Sequence, residues 1–284
     1  MKLPAIQTTE AGYSLLALDQ LLPLASQLHL DVSQAEDVVQ LNAVISVLMQ
    51  GYSSSMSGVV LSPQLGYEAL LKKAEETGPI FCLERRFDQP DPLSVPILLS
   101  QWGVESVRNN YSLAKLELFY HPQEAEARTK LMMLAELYDY CQHEGIDLLV
   151  ELLVYIEGTE AEYVKTFPEV QLAAIRDIRK YCSLLALEYP LDALGAVTVT
   201  AELDVPWILT SRETAYDSFK EQLRIALEGG ARGFLGLEQF LPVLEKDATF
   251  EMSLVEKFIT GTGRDRVLEM QRIVAEGCTE GEKV

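Results

Sequence analysis

The chain has 284 residues, 48% of them hydrophobic, which is long enough to bury one large core. Lys and Arg number 23 against 43 Asp and Glu, and the formal net charge of −20 argues against an unaided nucleic-acid-binding or anionic-membrane surface. No apolar segment has the length of a signal-peptide core or a membrane-spanning helix, so we expect a cytoplasmic protein.

Short apolar runs alternate with longer amphipathic segments along the whole chain. The first run, LLALD at residues 15–19, precedes a segment at 35–52 whose apolar residues recur at the helical spacings of three and four. Further apolar runs predict β-strands at residues 58–63, 79–84, 113–120, 148–155, 183–190, 206–211 and 233–238. Helices are predicted between them at residues 67–78, closed by a terminal glycine, and at 93–101, 124–144 and 216–230.

Eight strand-like runs separated by helices predict an α/β protein, a single (β/α)8 TIM barrel that comprises residues 1–284. Right-handed crossovers would close such a series into a ring. A doubly wound open sheet is the alternative, but no G-x-G-x-x-G motif follows the first run.

Four cysteines are scattered through the chain without the C-x-x-C spacing of a zinc site or the density of a disulfide framework. Cys82 and Cys182 lie in apolar, strand-like runs, so we predict that both are buried thiols. The cysteines indicate no metal, and no cofactor is expected.

The active site of such a barrel lies at the carboxyl ends of its strands, so polar residues late in each run are the candidates. They are Asp19, Gln20, Ser62, Glu84, Lys115, Glu117, Glu151, Glu188, Thr210, Ser211, Arg212, Glu213 and Glu238. Lys115 lies early in an apolar strand and should form a buried ion pair with Glu151 or Glu188. These charges fit either a structural network that fills the barrel or a ligand site.

The segment PWILTSRETAYDSFKEQLRIALEGGARGFLG resembles a segment of the class I aldolases that act on tagatose bisphosphate and sulfofructose phosphate. Other motifs follow in the order of that family, namely ALDQ at 17–20, GVVLSPQLG at 58–66, LAKLELFYHP at 113–122, LLVELLVY at 148–155 and LLALEYPLD at 184–192. The resemblance covers nearly the whole chain and implies the same barrel fold.

The resemblance also implies a reaction, because these aldolases form a Schiff base between a lysine on strand six and the ketose carbonyl. The family's strand reads L-K-x-E-x-P, whereas the corresponding position here is Ala186, whose methyl group cannot form an imine. Other departures fall at positions where the family binds anions or substrate: Leu21 for an arginine, Ser62 for an aspartate, Arg212 for a glycine and Glu238 for an arginine. Asp19, Gln20, Glu84, Lys115, Glu151 and Glu188 remain, and Glu188 is expected to pair with Lys115.

Three hypotheses follow from these departures. The first is a non-catalytic aldolase homologue that binds a protein or a small carbonyl or sugar-phosphate-like ligand. The second is a divergent carbon–carbon lyase in which Lys115, with a pKa lowered by burial, is the nucleophile. In it Glu151, Glu188 and Asp19 complete the catalytic set, and Gln20, Glu84, Thr210, Ser211 and Arg212 bind the substrate.

The third hypothesis is a divalent metal held by Glu84, Glu151 and Glu188 in place of the Schiff base. His121 follows the fourth strand and could reach the site, but the pattern favours an ordinary loop histidine. We also expect a homo-oligomer, since barrels of this family commonly pair through their outer helices.

Overall fold

Eight parallel strands form a closed barrel in chain order in the computed structural model, which describes residues 1–87, 91–156, 159–211, 214–245 and 248–280. Each strand pairs with the next, and the last pairs with the first. The strands are β1 (Tyr13–Ala17), β2 (Gly58–Leu61), β3 (Gly78–Cys82), β4 (Leu113–Phe119), β5 (Leu148–Leu153), β6 (Leu184–Leu187), β7 (Trp207–Thr210) and β8 (Gly233–Gly236). The predicted TIM barrel is confirmed, and the open-sheet alternative is wrong.

The helices surround the barrel and supply the outer half of the core. They are α1 (Leu21–Gln27), α2 (Ala35–Tyr52), α3 (Val104–Asn109), α4 (Ala127–His143), α5 (Glu160–Ile178), α6 (Ala193–Glu202), α7 (Tyr216–Glu228), α8 (Met252–Thr260) and α9 (Thr262–Glu280). On α2 the buried Leu41, Val44, Ile45 and Leu48 recur at the predicted spacings of three and four. Each fully buried side chain of this size contributes about 1.5–3 kcal/mol to folding.

Every strand is buried along nearly its whole length, because helices cover one face and barrel side chains fill the other. This double burial explains why the strands read as continuous apolar runs. Closure between β1 and β8 needs a glycine at position 233, where φ is +146° and an added Cβ would lie 1.8 Å from the Tyr13 carbonyl oxygen.

The predicted helix at 67–78 is wrong. A short 3-10 helix occupies Tyr67–Lys72, and Gly78 begins β3 instead of ending a helix. A Cβ at Gly78 would lie 2.5 Å from the Ala5 carbonyl oxygen, so this glycine permits close packing of the N-terminal segment. Gly78 is needed because a side chain at this position would collide with the N-terminal segment. The sequence pattern does not distinguish this requirement from the termination of a helix.

The predicted helix at 93–101 is also wrong. This segment runs antiparallel beside the chain that follows β3, with the Arg85 N–H donating to the Ile97 oxygen and the Leu99 N–H donating to the Leu83 oxygen, both at 2.9 Å. Pro92 and Pro96 disfavour a helix, and the added backbone pairs stabilise the extended form. The segment forms one wall of the barrel mouth.

All four cysteines are buried and unbridged, as predicted for Cys82 and Cys182. Among the helices described, none has the length and apolar character needed to cross a bilayer.

Candidate functional site

Lys115 projects from β4 into the barrel and lies between two carboxylates. Its Nζ donates a hydrogen bond to Asp19 Oδ2 at 2.7 Å and lies 2.7 Å from Glu151 Oε2, and all three side chains are fully buried. The Glu151 contact is an ion pair without the alignment of a hydrogen bond. Burial alone would lower the pKa of Lys115, but the Asp19 and Glu151 carboxylates outweigh burial and raise it. The predicted lowering of this pKa is therefore wrong.

Arg86 enters the same region from the loop after β3. Its guanidinium lies 2.9 Å from Glu117 Oε1, 3.2 Å from Glu84 Oε1 and 3.5 Å from Asp19 Oδ2. Its Nε also donates to the Asp19 backbone oxygen at 3.0 Å. Sequence reasoning missed Arg86, although its position two residues after Glu84 at a strand end was the available signal.

These charged side chains form one connected group at the carboxyl end of the barrel. We call it the ionic cluster, and its members are Asp19, Glu84, Arg86, Lys115, Glu117 and Glu151. Glu117 of β4 pairs in register with Glu151 of β5. Because side chains alternate along a strand, Lys115, Glu117 and Glu151 all lie on the inner face of the barrel.

Glu84 is a buried carboxylate with one unpartnered oxygen. Its Oε1 accepts hydrogen bonds from Arg86 Nη1 and from the Glu117 N–H, both at 3.2 Å. Its Oε2 is buried without a hydrogen-bond partner, and the residue is 5% exposed. Burial raises the pKa of Glu84 to about 7, against the opposing effect of the Arg86 and Lys115 cations. Near neutral pH this carboxyl can therefore hold or release a proton.

The predicted metal-binding triad does not form. Glu151 contacts Lys115, and Glu188 accepts a hydrogen bond from a backbone amide, so neither carboxylate joins Glu84 in a possible metal site. Within the described part of the chain, the donor atoms that lie within 4.8 Å of one another belong to Asp19, Cys82 and Glu84. The Arg86 and Lys115 cations beside these carboxylates oppose a further divalent cation.

Ala186 lies on the inner face of β6, between Glu151 of β5 and Ile208 of β7 in register. Its methyl group is fully buried. The Thr210 hydroxyl, two residues further along β7, donates to Glu151 Oε1 at 2.5 Å. Among the described side chains, this hydroxyl is the polar group through which β7 contacts the ionic cluster. The inner face of β6 presents the Ala186 methyl group at the same level.

Glu188 follows the end of β6 and is half-buried. Its Oε2 accepts a hydrogen bond from the Val154 N–H at 3.1 Å, and its backbone oxygen accepts one from Gln171 Nε2 at 2.9 Å. The predicted pairing of Glu188 with Lys115 is wrong, because Asp19 and Glu151 occupy the Lys115 ammonium group. Glu188 instead binds the backbone where β5 ends.

The remaining candidates lie at different places. Ser211 turns toward Gln239, whose Nε2 donates to the Ser211 Oγ at 2.6 Å. His121 uses its Nδ1 to accept a hydrogen bond from the Gln123 N–H at 3.1 Å, as an ordinary loop histidine does. Arg212 and Glu213 lie outside the described residues.

A cavity of about 740 Å³ opens at the carboxyl end of the barrel, above the ionic cluster. Its walls come from α1, the loop after β3, the 91–97 segment and the ends of β4 and β5. The predicted Gln20, Glu84, Glu151 and Glu238 line it, together with Arg86 and Glu117, whereas Lys115 does not. The volume is that of a typical small-molecule site.

A comparison with the sequence models of known protein families gives no match. Curated proteins similar to the chain include tagatose 1,6-diphosphate aldolase 2 of Streptococcus mutans, which is 22% identical over 81% of this chain and 79% of its own length. Tagatose 1,6-diphosphate aldolase 1 of Streptococcus pyogenes is 23% identical over 92% of this chain and 88% of its own.

Solved structures of aldolases share the fold at lower sequence identity. An archaeal fructose-1,6-bisphosphate aldolase, with its catalytic lysine bound to a carbinolamine intermediate, superposes with a TM-score of 0.63 at 14% identity over 94% of this chain and 96% of its own. The fructose-bisphosphate aldolase of Slackia heliotrinireducens gives 0.63 at 14% identity over 94% and 87%. The chain is therefore a distant and divergent homologue of the tagatose 1,6-diphosphate aldolases.

Proposed function

We propose that this protein is a non-catalytic aldolase homologue that binds a small ligand in the cavity at the barrel mouth. The observation that carries the proposal is Ala186, a buried methyl group on the inner face of β6, where the resemblance implies the imine-forming lysine. Without a nitrogen at this position, no Schiff base forms there. A role in carbohydrate metabolism is part of the same proposal.

Lys115 is a poor replacement nucleophile. Imine formation requires a neutral amine with a free lone pair, whereas its Nζ lies between Asp19 and Glu151 and its pKa is raised. Lys115 is also absent from the cavity lining, so a carbonyl bound there would not reach it without rearrangement of the ionic cluster.

A divergent carbon–carbon lyase is the second candidate. Glu84 favours it, because a cavity-lining carboxyl whose pKa lies at about 7 suits general acid–base catalysis. In that case Glu84 would move a proton at the bound substrate, and an electron sink would have to come from elsewhere.

Borohydride trapping tests the proposal. The protein is incubated with tagatose 1,6-bisphosphate or dihydroxyacetone phosphate, reduced, digested and mapped by mass spectrometry. We expect no site-specific adduct on Lys115, with only the low modification seen on exposed lysines such as Lys72. A stoichiometric adduct on Lys115, or cleavage of the bisphosphate, would contradict the non-catalytic function.

The Ala186→Lys variant provides a positive control for geometry. A lysine at this position restores an amine on the inner face of β6, beside Glu151. An adduct on the new lysine, with none on the wild-type protein, would show that the trapping conditions detect an imine in this barrel.

A further inference from the structure

The members of the ionic cluster that line the cavity already have charged partners. Glu84 and Glu117 contact the Arg86 guanidinium at 3.2 and 2.9 Å, and Glu151 contacts the Lys115 ammonium group at 2.7 Å. Separating such a buried pair is costly, because it leaves a charge without a partner. A charged ligand would therefore have to compete with contacts that the protein makes within itself.

The other charged side chains described along the cavity walls are also engaged. The Asp91 carboxylate accepts hydrogen bonds from the Leu93 N–H at 3.1 Å and from the Ser94 hydroxyl. Arg85 and Glu238 interact with further groups of the protein as well. None of the charged lining residues that the structure describes is thus without a partner, and the groups left for a ligand are uncharged.

Gln20 presents an unpartnered amide to the cavity. The residue lines the cavity and is 8% exposed, and its side chain forms no hydrogen bond with the described part of the chain. Its amide retains accessible surface, whereas Glu84 Oε2 is closed off within the cluster. An amide supplies both N–H donors and an acceptor oxygen, so it pairs best with groups that also donate and accept.

Two further uncharged groups lie along the same wall. Gln20 directly precedes α1, and Gln27 lies about two helical turns further on, so both fall on one side of this helix. Gln27 Nε2 donates to the backbone oxygens of Glu238 and Pro242, both at 3.3 Å, which leaves its Oε1 as an acceptor. The exposed Ser26 hydroxyl has no partner among the described residues. The wall from α1 therefore offers uncharged donors and acceptors.

A second wall is apolar. Val95, Pro96 and Ile97 of the 91–97 segment line the cavity, and Ile97 is 60% exposed, which leaves apolar surface available to a ligand. A polar wall beside an apolar one suits a compound with many hydroxyl groups on a carbon skeleton. Its hydroxyls donate and accept hydrogen bonds, and its C–H surface packs against aliphatic side chains.

We propose that the cavity binds an uncharged polyhydroxylated compound, an unphosphorylated sugar. Its hydroxyls bind Gln20, Ser26 and Gln27, and its C–H surface packs on the 95–97 segment. The inference rests on the proposed ligand-binding function and names the chemical class of the ligand. It differs from the phosphorylated carbonyl compounds that the family resemblance implies.

Saturation-transfer NMR titrations of the wild-type protein test the ligand class. The probes are D-tagatose, D-fructose and sorbitol, with 1,2-hexanediol as a six-carbon compound that has only two hydroxyls, and each ketose is compared with its 1,6-bisphosphate. We expect at least one of the three probes to bind with a dissociation constant of about 10 mM or lower, and the diol to bind about fivefold or more weakly. The bisphosphate of a ketose that binds should bind no more tightly than the free ketose.

Three results of these titrations would overturn the proposal. They are no binding of any of the three probes up to about 50 mM, equal binding of the diol, and binding of a bisphosphate about tenfold or more tightly than its free ketose. The last result would show that charged groups of the walls recognise phosphate.

The Gln20→Met variant tests the residue that carries the inference. It keeps the length of the side chain and removes the amide, so affinity for the bound probe should fall about tenfold, while Gln40→Met on the exposed face of α2 should leave it unchanged. Unchanged affinity in Gln20→Met would contradict the assignment. If this variant does not fold, Ser26→Ala on the surface decides, with an expected loss of about threefold and unchanged affinity as the contrary result.

Borohydride trapping is independent of these titrations. Absence of sugar binding with no adduct on Lys115 would overturn this inference alone, whereas an adduct on Lys115 would overturn the non-catalytic function. The two failures are therefore distinguishable.

Discussion

The strands on the two sides of the barrel interior carry different chemistry. On the side of β1, β3, β4 and β5, the ionic cluster fills the interior with paired charges. On the side of β6, β7 and β8, the strands contain no charged residue; Ala186 faces inward in register with Ile208, and Thr210 in register with Leu235. The Thr210 hydroxyl joins the two halves through Glu151.

The comparison indicates that the charged residues of the ionic cluster have a structural role, because each of them is held by an oppositely charged neighbour. A lysine with two carboxylates could be mistaken for a reactive centre, but Lys115 is fully buried between Asp19 and Glu151, and Ala186 on the opposite half presents a methyl group. Each buried charge of the cluster needs its partners, so these contacts support the barrel whatever the opposite half does.

The largest expected effect comes from Lys115→Met, which breaks the charged half. It leaves Asp19 and Glu151 buried without their shared cation, so the free energy of unfolding should fall by about 3–5 kcal/mol in guanidinium denaturation. The control is Lys2→Met, which removes an exposed pair with Asp147 and should cost about 0–1 kcal/mol. A loss below about 1 kcal/mol for Lys115→Met would mean that the cluster is not required for stability.

The second effect is the pH dependence that Glu84 confers. Its pKa in the folded protein is about 7, above the ordinary value of 4.5, so the folded state holds this proton more tightly than the unfolded state. The stabilisation is fully present below about pH 4.5 and is lost as the pH rises through 7. Between pH 5 and 7 the unfolding free energy of the wild type should fall, relative to Glu84→Gln, by up to about 1.4 kcal/mol per pH unit. Urea unfolding of both proteins checks this, and parallel pH profiles would contradict it.

Thr210→Val cuts the connection between the two halves. The substitution keeps the side-chain shape and removes a hydrogen bond to the buried Glu151 carboxylate, so the unfolding free energy should fall by about 2 kcal/mol. Thr260→Val on the exposed surface of α8 removes only a bond to the helix's own carbonyls and should change stability by less than about 0.5 kcal/mol. Equal effects of the two substitutions would show that Thr210 does not support the cluster.

The smallest effect is expected from Ala186→Ser, which adds one polar atom to the neutral half. The new hydroxyl lies beside Glu151 in register and can donate to it, so stability should change by less than about 1 kcal/mol. Ala114→Ser, on the outer face of β4 and equally buried, places a hydroxyl in the apolar core and should cost about 1–3 kcal/mol. The reverse order, measured by denaturation, would place Ala186 away from the cluster.

Much of the fold could be predicted because each strand is buried on both faces and reads as an apolar run. The eight strands were found with end errors of a few residues, whereas the helices at 67–78 and 93–101 were not. Those segments contain helix-forming residues, but Gly78 packs against the N-terminal segment and residues 97–99 pair with the chain after β3. Local periodicity carries no information about such distant partners.

The candidate site was predictable in position and in part of its pairing, since the Lys115–Glu151 ion pair is confirmed. Asp19 and Glu84 follow strand ends, and Lys115 and Glu151 lie within apolar strands, so their charge made them visible in the sequence. Arg86 was missed because it follows its strand within a loop. Glu188 was assigned the wrong partner, since alternation on β6 does not predict that its carboxylate turns to the Val154 N–H.

The sequence by itself determined the order and number of the barrel strands and the absence of a lysine at position 186, because burial and residue identity are local properties. Only the tertiary structure decided that Lys115 is held by Asp19 and Glu151, that Arg86 is surrounded by three carboxylates, and that Glu84 keeps an unpartnered oxygen beside a cavity. Those contacts join residues far apart in the chain, and their strength depends on burial and on distances that arise only when the barrel closes.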